Sequence, residues 1–165
     1  MEPTLKERLA SIPIFASACA ECPDAAEHLL GALVAHRFEP GAAVFDEGDE
    51  GTACYILHRG RVRVEKRTQA GDAYPVAVID AGMNAVFGEP ALIAAERRGA
   101  NIVADTEVQC YSLSKSDFDK LGDEHPKLGL LISREVARVL AERLTKTNND
   151  LVTLFSAFVS EIEGK

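Results

Sequence analysis

The stretch FGEPALIAAERRGANIVA, residues 87–104, combines strong turn signals with groups that can hold an anion. Gly88 tolerates unusual backbone angles, and Pro90 suits the first turn of a helix, where its missing N–H costs nothing. The sequence therefore predicts a chain that leaves a strand at Phe87, turns sharply, and enters a short helix over residues 90–95.

Several groups that attract negative charge follow this turn. The amides of Ala91 and Leu92, near the start of the predicted helix, would direct partial positive charge at one point. Arg98 adds a rigid fork of donors that matches phosphate oxygens. Because Gly99 and Ala100 are small, their backbone N–H groups can approach the same anion. The stretch thus predicts a phosphate-binding site.

Glu89 has a different role in this prediction. A carboxylate only accepts hydrogen bonds, so beside a phosphate it would face the donors of a bound molecule, such as a sugar hydroxyl. The alternative is a plain loop between two strands, in which Glu89 and Arg98 form a surface ion pair.

The spacing FGE-x-A-L followed by Arg98 and small residues resembles the phosphate-binding cassette of cyclic nucleotide-binding domains, which bind cAMP or cGMP. The resemblance continues upstream through Pro40-Gly41, Glu47-Gly48-Asp49, Gly51, Tyr55-Ile56-Leu57 and Gly60-x-Val62-x-Val64, and downstream into the last helix. It implies a mainly β fold with α-helices: an eight-stranded β jelly roll flanked by N-terminal helices and a long C-terminal helix. In one respect the sequence departs from the family, because segment 82–89 is about two residues longer than usual.

Length and composition limit the remaining possibilities. The 165 residues, 47% of them hydrophobic and 27% charged, predict one domain over residues 1–165. A net charge of -8 repels DNA. No apolar run is long enough for a membrane span, and the polar N-terminus is unlike a signal peptide, so we expect a cytoplasmic protein without a membrane partner. No catalytic motif is visible, so we expect no enzyme.

The pattern of short apolar runs predicts three segments. Residues 1–36 are predicted to be N-terminal helices, two of them with one break. Residues 37–114 show turn signals about ten residues apart, which predict a β-sandwich or barrel, and the family resemblance implies that it is the jelly roll. Its expected strands are 43–46, 53–58, 61–67, 73–79, 100–104 and 107–113, and residues 115–165 are predicted to be C-terminal helices.

The cysteines at positions 19, 22, 54 and 110 are predicted to be reduced thiols without a metal. The alternative is an iron–sulfur cluster that uses the Cys19-x-x-Cys22 pair, but such a cluster needs four ligands, and Cys54 and Cys110 lie in apolar runs.

The last helix, predicted from about residue 126 to 163, would be over 50 Å long, more than a small barrel can cover. Apolar or small side chains recur along it in steps of four and three, at Leu140, Leu144, Thr147, Leu151, Leu154 and Phe158. This spacing predicts a coiled-coil seam and hence a homodimer. The alternative is a helix folded back on its own barrel.

The resemblance to bacterial catabolite-activator-like regulators adds a prediction about Thr147 and Asn148. In those regulators the matching positions contact adenine, and the amide of Asn148 can both donate to and accept from the adenine N6/N7 edge. The alternative is ordinary polarity on a solvent-facing helix.

Together these features predict a cAMP-preferring sensor without a cofactor, with cGMP as the weaker ligand, that signals through its dimer helix to a protein partner. Two alternatives stay open: a ligand-free interaction module of the same fold, or a regulatory fragment of a larger channel, kinase or transporter. Family transcription factors carry a helix-turn-helix after the long helix, and here the sequence stops at Lys165, so we expect no direct DNA binding.

Overall fold

Three short helices begin the described chain, which comprises residues 3–68, 70–162 and 164 of the computed structural model. They are α1 (Leu5–Ser11), α2 (Pro13–Glu21) and α3 (Ala25–Ala32). The sequence predicted two helices, and the additional break lies at Ile12, whose backbone is extended (φ -78°, ψ 125°). A residue before proline is pushed out of the helical region, so Pro13 separates α1 from α2.

Eight strands follow, and they form two four-stranded antiparallel sheets. One sheet has the order β1-β8-β3-β6 and the other β2-β7-β4-β5, which confirms the predicted eight-stranded jelly roll with flanking helices. The strands are β1 (Val34–Phe38), β2 (Ala43–Phe45), β3 (Ala53–Arg59), β4 (Arg61–Arg67), β5 (Ala73–Asp80), β6 (Val86–Phe87), β7 (Asn101–Ala104) and β8 (Val108–Ser114).

One of these strands, β1, was not predicted, and of β6 only the end at Phe87 was. β1 begins at Val34, so the N-terminal helical segment ends earlier than residue 36, and β1 pairs along its whole length with β8. β6 has only two residues and pairs with Tyr55 and Ile56 of β3. Both strands exist because of partners distant in sequence, which local patterns do not report.

The core consists of two clusters. One lies between the helices and the roll and includes Phe15, Leu29, Ile56, Leu113 and Ile132. The other fills the roll between its sheets and contains Leu57, Val62, Phe87, Ile102, Ala104, Val108 and Cys110. Phe87, the residue before the predicted phosphate-binding turn, is thus fixed in the roll.

Two C-terminal helices complete the fold. α4 (Lys115–Glu124) is capped by Ser114, whose hydroxyl accepts from the Asp117 amide at 3.0 Å. α5 (Pro126–Ile162) has 37 residues, and its first part buries Leu128, Gly129, Ile132 and Val136. Beyond Leu140 the large apolar side chains of α5 are exposed except for the half-buried Val159, so the alternative of a helix folded back on its own roll does not hold for the distal half.

None of the helices within residues 3–68, 70–162 and 164 combines the length and apolar character that a membrane crossing requires.

Candidate functional site

The turn after β6 is built on Gly88. This residue has φ 74°, in the left-handed region, and its carbonyl accepts a bond from Arg98 Nη1 at 3.4 Å. A Cβ at this position would lie 2.6 Å from the same Nη1 atom. Gly88 therefore meets two requirements, because a side chain would strain the backbone and also displace the guanidinium.

The helix after Gly88 is shorter than predicted. It is a 3₁₀ turn over Glu89–Leu92, with Pro90 as its second residue, and not a helix over residues 90–95. The Ala91 amide already donates to the Gly88 carbonyl at 3.2 Å, because 3₁₀ bonds close after three residues. The turn thus offers fewer free amides than an α-helix start, and the side chains of Ala91 and Leu92 are buried.

Arg98 lies beneath this turn and is only 8% exposed. Its Nη2 donates to the Ala53 carbonyl at 2.7 Å, and its guanidinium carbon lies 4.1 Å from the centre of the Phe45 ring. These contacts fix the direction of the guanidinium, because a planar fork bonded at one nitrogen and stacked on a ring has little freedom left.

The charge of Arg98 has no counterion in the described part of the chain. Within residues 3–68, 70–162 and 164 no carboxylate forms an ion pair with it, and its buried Nε atom has no hydrogen-bond partner. Burial lowers the pKa of Arg98 below its ordinary value, yet an arginine stays charged at neutral pH. A buried cation without a partner is costly, so this position is suited to receive an anion.

A backbone clasp holds Arg98 in place. The Arg98 amide donates to the Asp49 carbonyl at 2.7 Å, and the Gly48 amide donates to the Arg98 carbonyl at 2.8 Å. The Gly51 amide donates to the Glu96 carbonyl at 2.9 Å, and a Cβ at Gly51 would lie 2.5 Å from that oxygen. The motif Glu47-Gly48-Asp49, together with Gly51, therefore allows the backbone of residues 96–98 to pack closely against it.

Glu89 is buried, with a side chain only 3% exposed, and it pairs with a residue to which the sequence analysis assigned no role. Arg143 of α5 donates from Nη2 to Glu89 Oε1 at 2.5 Å. The alternative of a surface ion pair between Glu89 and Arg98 is therefore wrong. A signal for Arg143 did exist, since it lies one helical turn before Thr147 and so on the same face of α5.

The other predicted residues are arranged less closely. Gly99 is exposed, its carbonyl accepts from Lys66 Nζ, and Ala100 is half-buried. Thr147 and Asn148 are exposed on α5, and across the described residues no hydrogen bond or ion pair joins them to the cassette. The structure brings together residues 88–92, Arg98 and Arg143, and the roles of Thr147 and Asn148 stay predictions.

The four cysteines are all free. Cys19 and Cys22 are half-buried at the end of α2, whereas Cys54 and Cys110 are buried in β3 and β8. Among the residues that the structure describes, no group of three or more His, Cys, Asp or Glu side chains could hold a metal ion.

Comparison with known proteins places this geometry in a family. Residues 35–125 match the family model of the cyclic nucleotide-binding domain, as the resemblance implied. The chain is 32% identical over 120 residues to Glutaminase 1 of Bradyrhizobium diazoefficiens, covering 72% of this chain and 18% of that protein. It is 30% identical over 132 residues to the CRP-like cAMP-activated global transcriptional regulator of Mycobacterium tuberculosis, covering 80% of this chain and 56% of that protein.

Solved structures agree with the fold. The catabolite activator protein of Thermus thermophilus superposes with a TM-score of 0.74 at 26% identity, over 86% of this chain and 62% of that one. The chain thus spans less than two thirds of each of these three relatives. The matched residues 35–125 include Gly88, Glu89 and Arg98, and the chain belongs to the cyclic nucleotide-binding domain family, a family of regulatory domains.

Proposed function

We propose that this chain is a cAMP-preferring sensor that reports occupancy of its cassette through α5. The observation that carries the proposal is the buried guanidinium of Arg98. Its Nη1 and Nη2 atoms donate to backbone carbonyls, and it has no carboxylate partner among the described residues. A cyclic phosphate supplies the missing negative charge, and charge-assisted hydrogen bonds of this kind are among the strongest in proteins.

The ribose is the second contact in this proposal. Glu89 lies one residue after Gly88, whose carbonyl touches Arg98, so a nucleotide whose phosphate reaches Arg98 presents its sugar to Glu89. A carboxylate has two oxygens and about four acceptor sites, so Glu89 can bind a 2′-hydroxyl while Arg143 stays bonded. The nucleotide would then extend a chain of contacts that already joins the cassette to α5.

The base supplies the preference for cAMP. Gly99 and Ala100 carry no hydroxyl that could accept from the amino group of guanine, whereas Asn148 of α5 can pair with the adenine edge. Thr147 and Asn148 lie one turn beyond Arg143 along α5, so a base that extends from a ribose at Glu89 approaches this part of the helix.

The signal is a population shift. A ligand moves an equilibrium only by its difference in affinity for the two states, and this ligand would contact both the cassette and α5. It therefore favours the arrangement in which they meet. α5 passes the change to a second copy of the chain, because its distal apolar side chains are 62–70% exposed and repeat at coiled-coil spacing.

The rest of the proposal concerns context. The protein acts in the cytoplasm without a cofactor, as a homodimer, and passes its signal to another protein and not directly to DNA. The net charge of -8 supports the last point, since it opposes binding to a polyanion.

Isothermal titration of the whole chain with cAMP, with cGMP and with 5′-AMP tests the proposal. We expect one site per chain, tightest for cAMP and weakest for 5′-AMP, whose phosphate is not constrained in a ring. Absence of binding by both cyclic nucleotides would overturn the sensor and favour the ligand-free interaction module.

A further inference from the structure

A second buried guanidinium lies far from Arg98 in sequence. Arg8 of α1 is 7% exposed, and in the described part of the chain its charge faces no carboxylate. Its Nη1 atom donates to the Ala81 carbonyl and lies 3.5 Å from Asn84 Oδ1, while its Nε atom has no partner. A buried arginine satisfied only by neutral oxygens requires an explanation, because apolar residues of the same volume would pack at lower cost.

The two acceptors belong to one turn, defined here as the approach turn, residues 80–84. It contains a 3₁₀ helix at Ala81–Met83 and ends at Asn84, which has φ 49° in the left-handed region. The approach turn overlaps the start of segment 82–89, which leads to Gly88 and Glu89.

The approach turn leads directly into the nucleotide site. Asn84 is followed by Ala85, whose carbonyl accepts from the Leu57 amide at 3.2 Å, and then by β6. Only three residues separate Asn84 from Gly88, and β6 holds just two pairs with β3. A displacement of the approach turn is therefore transmitted to Gly88 and Glu89 with little structure in between to absorb it.

We propose that Arg8 is a positioning residue that fixes the approach turn, and through it the backbone at Gly88 and Glu89, so that docking of the N-terminal helices sets nucleotide affinity. The inference rests on the proposed function for its ligand. Coupling between two sites is reciprocal, so nucleotide binding in turn stabilises the docking of α1.

Hydrogen exchange measured by NMR on the whole chain tests the first step without any ligand. Arg8→Met keeps the volume and removes the donors, and we expect exchange at the Ala81, Asn84 and Leu57 amides to rise at least about fivefold. Lys6→Met is the matched control, because Lys6 is an exposed residue of the same helix that pairs with Glu27. It should leave these amides unchanged.

Titration with cAMP tests the second step. We expect Arg8→Met to bind about 3–10-fold more weakly than the parent, Arg8→Lys to recover part of the loss, and Lys6→Met to match the parent. In the parent, cAMP should slow exchange in α1, and in Arg8→Met this protection should disappear. If Arg8→Met does not fold, Asn84→Gly removes one acceptor while it keeps the left-handed backbone, and it should show the same pattern with smaller changes.

The outcomes separate the two proposals. A parent chain that binds neither cyclic nucleotide overturns the sensor, while the exchange comparison without ligand still decides the role of Arg8. Faster exchange spread evenly over the chain, or unchanged exchange in the approach turn, overturns the positioning role. Unchanged affinity for cAMP in Arg8→Met overturns the link from α1 to the nucleotide site.

Discussion

Arg143 Nη2 of the long helix lies 2.5 Å from Glu89 Oε1 in the cassette, in an ion pair whose acid is 3% exposed and whose base is 58% exposed. The pair joins the buried Glu89 carboxylate of the candidate site to the long helix α5. Because the carboxylate is almost fully buried, removal of its cation leaves a charge that solvent cannot compensate. The proposed signal therefore has a physical connection before any nucleotide binds.

Arg143→Ala should weaken cAMP binding about 3–10-fold, because the buried Glu89 carboxylate loses the cation that pairs with it and orients it for the ribose. Titration calorimetry measures the change. Arg138→Ala is the matched control, since Arg138 lies on the same helix but pairs with Glu135 and Glu142 at the surface. Equal losses in the two variants would show that the Glu89 contact has no special role.

Glu89→Ala should reduce affinity for cAMP more than affinity for 2′-deoxy-cAMP, because it removes an acceptor that only the ribose hydroxyl uses. Its total cost should be smaller than that of Arg98→Ala. Competition against a fluorescent analogue measures how much affinity each variant loses for cAMP and for 2′-deoxy-cAMP. If the two ligands lose affinity equally, Glu89 does not contact the 2′-hydroxyl.

Arg98→Ala should nearly abolish binding, with a loss of roughly 2–4 kcal/mol, because it removes the charged partner of the cyclic phosphate. Arg97→Ala is the control: its neighbouring guanidinium is exposed and donates to the Gly48 carbonyl at 2.8 Å, at the surface of the clasp. Titration of both variants with cAMP checks the prediction. Retained affinity in Arg98→Ala would remove the main support for the site.

Base preference should depend on Gly99. We expect cAMP to bind better than cGMP by about 1–2 kcal/mol, because guanine would bury an amino group without an acceptor. Gly99→Thr should narrow or reverse the preference, and the structure leaves room for it, since nothing lies within 4 Å of a Cβ added there.

Gly99→Val provides the comparison for this experiment, because valine has the shape of threonine without the hydroxyl. It should keep the cAMP preference of the parent. A parent that prefers cGMP, or a threonine variant with an unchanged ratio, would mean that other residues set selectivity.

Leu151→Glu should convert the proposed dimer to a monomer, because the new charge would be buried against the partner helix. Leu151 is 64% exposed in the single chain, so the same substitution leaves a monomer stable. Asn149→Glu, nearly opposite on the helix, should leave the dimer intact. Light scattering at micromolar concentration measures the mass, and a monomeric parent would contradict the coiled coil.

Thiol reactivity should divide the cysteines into two pairs. Burial raises the pKa of Cys54 and of Cys110 to about 12, so at pH 8 only about one in ten thousand of these groups is the reactive thiolate. Native protein should therefore be alkylated at Cys19 and Cys22 alone, and at all four cysteines once unfolded. Mass spectrometry of alkylated peptides is the check, and rapid native labelling of Cys54 would contradict the burial.

The sequence alone was sufficient for the parts of this protein that depend on local chemistry. Glycines that need a left-handed backbone or close approach, such as Gly88 and Gly51, are visible because no other residue fits those positions. The alternation of strands and turns, and the steps of four and three along the last helix, are equally local. These patterns predicted a β-sandwich or barrel and the long helix, and they pointed to Glu89 and Arg98, whereas the jelly roll itself was implied by the family resemblance.

Only the tertiary structure decided which side chains meet. β1 and β6 exist through pairing with distant strands, and the predicted helix over residues 90–95 became a four-residue turn because Gly88 and Arg98 fix its start. The pairing of Glu89 with Arg143, and not with Arg98, follows from how α5 crosses the cassette. Burial of an unpaired guanidinium depends on packing from several elements at once, so no window of sequence could have revealed it.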